Sequence, residues 1–248
     1  MIRAIPMDLY AYCLCQEMEG GLLETVSGVA GAKPFGLPYE GLVAVVSELA
    51  GGPITVTREN VLAHERVISH VFARTTPLPF RFGALLRPAE LDNYLELNRT
   101  ALLAMLARVR GRAEMSVKII AQPGSAAVAQ DPCMQPSLRG EGLGQGAMFL
   151  AAKQRELAET RMIEERARET ASWLAEQLAT VVKDTCVRLR PTGGLALKAA
   201  HLIERARLEE YRERLGLARM ERPELLFLTS GPWPPYSFCD LTTRSHDR

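Results

Sequence analysis

The stretch that most constrains this chain lies near its C-terminus and reads Leu225-Leu226-Phe227-Leu228-Thr229-Ser230-Gly231-Pro232-Trp233-Pro234-Pro235-Tyr236-Ser237-Phe238. Its first half is an unbroken apolar run of strand length, which is stable only inside a sheet. Its second half carries three prolines. Proline lacks an amide hydrogen and fixes φ, so this half leaves the ladder and favours extended, polyproline-like backbone. Trp233, Tyr236 and Phe238 are therefore carried off the end of a strand and must cover another surface. That surface is a groove between two domains of this chain or a partner; a plain strand terminator is the third reading. No acid or base accompanies the aromatics, so the stretch reads as a docking element or clamp.

A length of 248 residues points to two domains. Thirty basic and 29 acidic residues leave a formal charge of +1, which gives no field for broad attraction to nucleic acid or membrane. The longest apolar runs, such as Leu42–Val46, are far too short to span a bilayer, and the N-terminus shows no signal-peptide pattern. Five cysteines at 13, 15, 133, 186 and 239 form an odd, scattered set, which suits reduced thiols in a cytoplasm.

The fold class expected is α+β in two domains. Residues 1–110 read as a mixed α+β sheet domain: strands at Asp8–Cys15 and Leu42–Leu49, a Gly- and Pro-rich loop over 16–41, and a helix over Thr57–Ala73 capped by Thr57. A third strand is expected over Pro77–Leu86, with Leu78, Phe80 and Phe82 on one face and Arg81 on the other, then a helix from Pro88 to Arg110. Residues 111–248 read as a ferredoxin-like domain with a long helix and the aromatic/proline tail. The order is a strand at Glu114–Ala121, a mobile loop at 122–147, a helix at Met148–Lys183, strands at Thr185–Arg190 and Leu195–Ile203, a helix at Glu204–Leu217 and a strand at Glu224–Thr229.

Candidate chemistry is sparse. His64 and His70 lie six apart on the first helix, and zinc on a helix needs a spacing of four, so they read as part of a surface helix. Cys13 and Cys15 share one strand face without a second cysteine pair and read as small core residues. The glycine-rich turns at 140–146 and 191–195 match no phosphate-binding pattern. Buried, Arg81 needs a carboxylate, with Glu65 and Glu114 as candidates. The two central strands of the second domain lack the aromatics that stack RNA bases. We expect no catalytic residue, metal or cofactor. The residues expected to form a partner-binding or interdomain clamp are Phe80, Arg81, Phe82, Trp233, Tyr236 and Phe238.

Several segments together resemble one family. DLYAYC, GLVAVVSEL, VLAHERVISHVF followed by LPFRFG (78–83), the E-x-x-VK strand, the helix start at 147–154 and SGPWPPYSF (230–238) are similar to the gas vesicle accessory proteins of the F/L type. The likeness covers nearly the whole chain in the same order. It implies a two-domain protein with a ferredoxin-like second domain and no enzymatic activity. It also implies a role in assembling gas vesicles, or a minor place in their shell, by binding the small hydrophobic shell protein and other gas vesicle accessory proteins. The place implied is the cytoplasm, in association with gas vesicles. The alternative is a small-molecule enzyme using the His64/Glu65/Arg81 region.

Overall fold

The computed structural model describes residues 7–50, 52–121, 145–189, 196–239 and 241. The fold is mixed α+β with two separate sheets. The chain divides into two compact units, Met1–Glu114 with Gly231–Arg248, and Met115–Ser230. The boundary expected from sequence falls after residue 110 and leaves the tail with the second half. The chain instead crosses twice, and the tail groups with the first unit because its hydrogen-bond partners lie there.

The first unit holds β1 (Met7–Cys15), β2 (Phe35–Tyr39), β3 (Leu42–Ala50), α1 (Arg58–Phe72), β4 (Leu78–Pro79), β5 (Leu85–Leu86) and α2 (Pro88–Val109). The sheet order is β2-β3-β1-β4, with β5 also on β1. β1 is buried from Leu9 to Cys15, as a strand covered on both faces must be. It pairs antiparallel with β3, Tyr10 facing Ser47 and Cys15 facing Val43, with a bulge between Ala11 and Cys13. β2 falls inside the expected loop. Gly36 and Pro38 mask it in sequence, and an edge strand bonded only to β3 tolerates proline.

α1 begins as expected. The Thr57 hydroxyl accepts from the Asn60 amide at 3.2 Å. The buried face of α1 is Ala63, His64, Val67, Ile68 and Val71. His64 therefore sits in the core rather than on the surface, while Leu62, on another side of the helix, is half exposed.

The expected strand over Pro77–Leu86 is broken in two. Phe80 N–H donates to Tyr12 O at 2.9 Å and Ala11 N–H donates to Ala84 O at 2.8 Å, so Arg81-Phe82-Gly83 loop out between two ladder bonds. Gly83 takes φ +93°, a backbone state that side chains disfavour. The turn ends strict alternation, and Phe80 and Phe82 pack in different places.

The second unit runs through β6 (Arg112–Ala121), α3 (Gln145–Leu178), β7 (Val182–Leu189), β8 (Ala196–Glu204), α4 (Leu208–Glu221) and β9 (Leu225–Trp233), with β6 and β9 reaching across the unit boundary. Its sheet order is β7-β8-β6-β9. The core joins Val117 and Ile119 of β6, Leu174 and Leu178 of α3, Leu197 and Ile203 of β8, Tyr211 and Leu215 of α4 and Phe227 of β9. α3 ends earlier than expected, because Val181 and Val182 are β-branched; Val182 instead pairs with Ile203. α4 starts later than expected, since Glu204 still belongs to β8 and pairs with Lys183 at 3.3 Å. β9 runs on to Trp233 rather than stopping at Thr229. Of the loop expected at 122–147, residues 122–144 lie outside the described residues and 145–147 belong to α3. The turn expected at 191–194 also lies outside them.

Candidate functional site

The polar groups of the first unit converge on two linked places: a buried histidine and the seat of the C-terminal tail. Tyr10 and Tyr12 alternate along β1, so both rings point to the side covered by α1. A buried tyrosine hydroxyl needs a partner. Tyr12 OH accepts from the Val29 amide at 2.9 Å and lies 3.0 Å from Ser47 Oγ. Tyr10 OH accepts from the Gly83 amide at 3.1 Å and donates to His64 Nδ1 at 2.9 Å.

The direction of that last bond follows from the other ring nitrogen. His64 Nε2 lies 3.2 Å from Phe80 O, which can only accept, so Nε2 carries the proton and Nδ1 is the acceptor. Tyr12 stacks on the imidazole, while Tyr10 and Phe82 meet it edge-on, all at 5.7 Å. Burial disfavours the imidazolium and brings the pKa of His64 down to about 4, despite the opposing pull of Phe80 O. His64 is thus a neutral cross-brace between β1, α1 and the 80–83 turn.

Glu65, the next residue on α1, takes the tail. Tyr236 OH donates to Glu65 Oε1 at 2.8 Å. Burial, then the neighbouring Glu65 charge, holds the phenol far above its ordinary pKa, so it stays a donor. Ser237 grips a second carboxylate with two groups: its amide donates to Glu114 Oε2 at 2.7 Å and its hydroxyl to Glu114 Oε1 at 2.8 Å. Glu114 is buried, and such a charge is tolerable because both oxygens are bonded. Cys239 follows, its thiol pushed up to about 12 by burial and by the Glu114 charge. Pro234, Pro235 and Phe238 are buried.

The tail is not the extended strut expected of its prolines. Pro235 takes φ −77° and ψ 58°, and Tyr236–Phe238 close a 3₁₀ turn in which Phe238 N–H donates to Pro235 O at 3.1 Å. The turn is what presents the Ser237 amide and hydroxyl to one carboxylate.

The six expected clamp residues have separate fates. Phe80 is fully buried, with its ring 6.3 Å from that of Tyr94. Phe82 and Tyr236 are half-buried against the His64 cluster, and Phe238 is buried. Arg81 is exposed on the turn, and its candidate partners Glu65 and Glu114 hold the tail instead. Trp233 is 44% exposed, whereas Pro234, Pro235 and Phe238 are buried. Ser237 and the two tyrosines of β1 stand outside the expected site, and Glu65 and Glu114 enter it only as partners for Arg81 or, for Glu65, as part of the alternative active site, not as the seat of the tail. The tyrosines had a signal, since two hydroxyls on one face of an apolar strand require partners. The glutamates had none, because nothing local marks a carboxylate 171 or 123 residues from its donor.

Tyr236→Phe removes the donor to Glu65 and leaves that carboxylate under-bonded, so it should cost about 1–3 kcal/mol of unfolding free energy. Glu114→Gln turns one acceptor oxygen into a donor that faces a donor and should cost a similar amount. Urea unfolding checks both, and unchanged midpoints would show that the tail is not held this way.

Among the described residues no group of three His, Cys, Asp or Glu side chains is placed to hold a metal ion, and no helix is long and apolar enough to cross a membrane. Comparison with known proteins gives a consistent result. The chain is 27% identical to gas vesicle protein L of Streptomyces sp. (strain CB03234), over 94% of this chain and 92% of the relative. It is 26% identical to gas vesicle protein F1 of Halobacterium salinarum, over 94% and 93%. In fold it is similar to the crystal structures of GvpF from Microcystis aeruginosa (TM-score 0.77, 20% identity, 94% of this chain and 99% of that one) and from Anabaena sp. PCC7120 (TM-score 0.75, 18% identity, 98% and 100%). The model of the family described as gas vesicle synthesis protein GvpL/GvpF matches residues 8–240, and the chain belongs to that family.

Proposed function

We propose that this protein is a non-catalytic assembly factor or minor structural component of gas vesicles, acting in the cytoplasm by binding the small hydrophobic shell protein and other gas vesicle accessory proteins. The observation that carries the reading is the family match across residues 8–240. We also read the second unit as a ferredoxin-like domain, which the β-α-β-β-α-β element order and the β7-β8-β6-β9 strand order support. Among the described residues of the first unit, the three groups of the enzyme alternative are engaged elsewhere or apart. His64 has both ring nitrogens bonded within the core, Glu65 is taken by Tyr236, and Arg81 lies on an exposed turn.

Trp233 is the candidate anchor for the shell protein. It is 44% exposed, and the residues just after it are fixed by Pro234, Pro235, Tyr236 and Ser237. An indole on a braced backbone loses little entropy on docking. Phe80, Phe82, Tyr236 and Phe238 support the platform, and Arg81 is exposed for a polar contact. Trp233→Ala should change folding stability by less than about 1 kcal/mol and weaken binding to purified shell protein by about 30-fold. Failure of the unaltered protein to bind the shell protein would overturn the function. Equal binding by the variant would overturn only the role of Trp233.

A further inference from the structure

The second sheet has two unlike faces. α3 and α4 cover the face formed by Val117, Ile119, Leu197, Ile203 and Phe227. Side chains alternate along a strand, so Lys118 of β6, Lys198 of β8, and Leu226 and Leu228 of β9 belong to the other face. Arg188 of β7 joins them, because it stands directly opposite Lys198 in the antiparallel β7–β8 ladder. All three cations are exposed, and the two leucines are 42% and 47% exposed. Like charges directly opposite each other on a sheet face are destabilising. A carboxylate would offset the repulsion, yet among the described residues Arg188, Lys198 and Lys118 make no ion pair. The acids of the same face are engaged elsewhere. Glu204 pairs with Lys183 at 3.3 Å, Asp184 accepts from the Thr185 amide at 2.8 Å, and Glu114 accepts from Ser237.

We infer that this face of the second sheet docks an acidic, leucine-contacting segment of a partner protein, with Arg188 and Lys198 closing on one of its carboxylates. The surface is separate from Trp233, where the shell protein is placed above. Charge complementarity selects the occupant. Directly opposed residues of an antiparallel pair hold their Cβ atoms about 5 Å apart, so a single carboxylate reaches both the Arg188 fork and the Lys198 ammonium. That contact turns a repulsive pair into two attractive ones, and only an anionic partner gains from it. The strand order β7-β8-β6-β9 then sets Lys118 between this pair and the leucines of β9. A matching segment carries carboxylates on one side and apolar side chains on the other. Nucleic acid fits poorly. Its bases stack on aromatic side chains, and the central strands β6 and β8 contain no Phe, Tyr or Trp. A surface arrangement that costs stability and is uncompensated within its own unit marks a binding face.

The test uses the full chain and a fluorescent peptide that alternates glutamate with leucine, read by anisotropy. The unaltered protein should bind it with a dissociation constant of about 10–100 µM at low salt, and several-fold more weakly at about 0.5 M salt. Arg188→Glu/Lys198→Glu should weaken binding at least about 10-fold, because like charges then meet the peptide. Lys198→Glu alone should also weaken binding, yet its urea midpoint should equal or exceed that of the unaltered protein, since an opposite-charge pair replaces a like-charge one. That readout separates a lost contact from a lost fold. Arg155→Glu/Arg161→Glu on the exposed part of α3 changes the net charge equally and should bind the peptide normally. A peptide with serine in place of leucine should bind at least about 5-fold more weakly. Absence of binding up to about 1 mM would overturn the inference. So would undiminished binding by Arg188→Glu/Lys198→Glu, an equal loss in the α3 control, equal binding of the serine peptide, or tighter binding of an oligothymidine strand than of the peptide. None of these readouts involves the shell protein, so their failure leaves the function proposed above standing.

Discussion

Acidification from pH 6.5 to 4 should destabilise this protein steeply, and two buried histidines should account for much of the slope. His64 is bonded to Tyr10 and Phe80, and His201 Nδ1 lies in hydrogen-bond contact with Tyr211 OH at 2.8 Å. Burial lowers both from 6.5 to about 4. Between those values the unfolded chain binds more protons than the folded one, so stability rises with pH across the window. The contribution is complete above pH 6.5, falls as pH drops, and is gone below about 4. Each histidine is worth on the order of 3 kcal/mol over that span. Urea unfolding at pH 7, 5.5 and 4.5 should show the loss, and His64→Gln should remove about half of the slope near pH 5.5. A flat profile between 7 and 5 would mean that the imidazoles can charge in place. The two histidines lie in different units, so the transition of each unit should respond to its own.

Phe80→Ala should cost about 3–5 kcal/mol, whereas Arg81→Ala, one residue along, should change stability by less than about 0.5 kcal/mol. Phe80 is fully buried beside Tyr94, and its backbone bonds to Tyr12 and His64 on either side. Truncation opens a ring-sized cavity under a strand that cannot easily collapse. For a protein of this size the loss corresponds to roughly 10 °C in the first unit's transition. The pair also separates two roles for LPFRFG. If Phe80 were a partner contact, its loss would spare folding and reduce binding. A loss below about 1 kcal/mol would therefore return Phe80 to the surface.

The regular elements were largely legible because they depend on local chemistry. The apolar runs of β1, β3 and β9, the Thr57 cap and the proline at the start of α2 each specify their element through backbone sterics or burial on one face. Two features of the first sheet were not legible, for one shared reason. β2 and the break in Pro77–Leu86 depend on neighbouring strands: β2 exists because β3 offers a ladder, and Arg81-Phe82-Gly83 leave the ladder because Tyr10 OH holds the Gly83 amide. His64 shows the boundary between the two kinds of information. Its spacing with Val67, Ile68 and Val71 places it on the buried face, which sequence contains. That Tyr10 and Phe80 O would satisfy it there depends on two other elements folding onto α1. The tail shows it most clearly. Sequence alone determined that the aromatics after β9 must leave the sheet and find another surface, because proline cannot continue a ladder. Only the tertiary structure decided that the surface is the first unit. The deciding groups, Glu65 and Glu114, lie more than a hundred residues away, and a hydrogen bond acts only across a few ångströms, which folding alone provides.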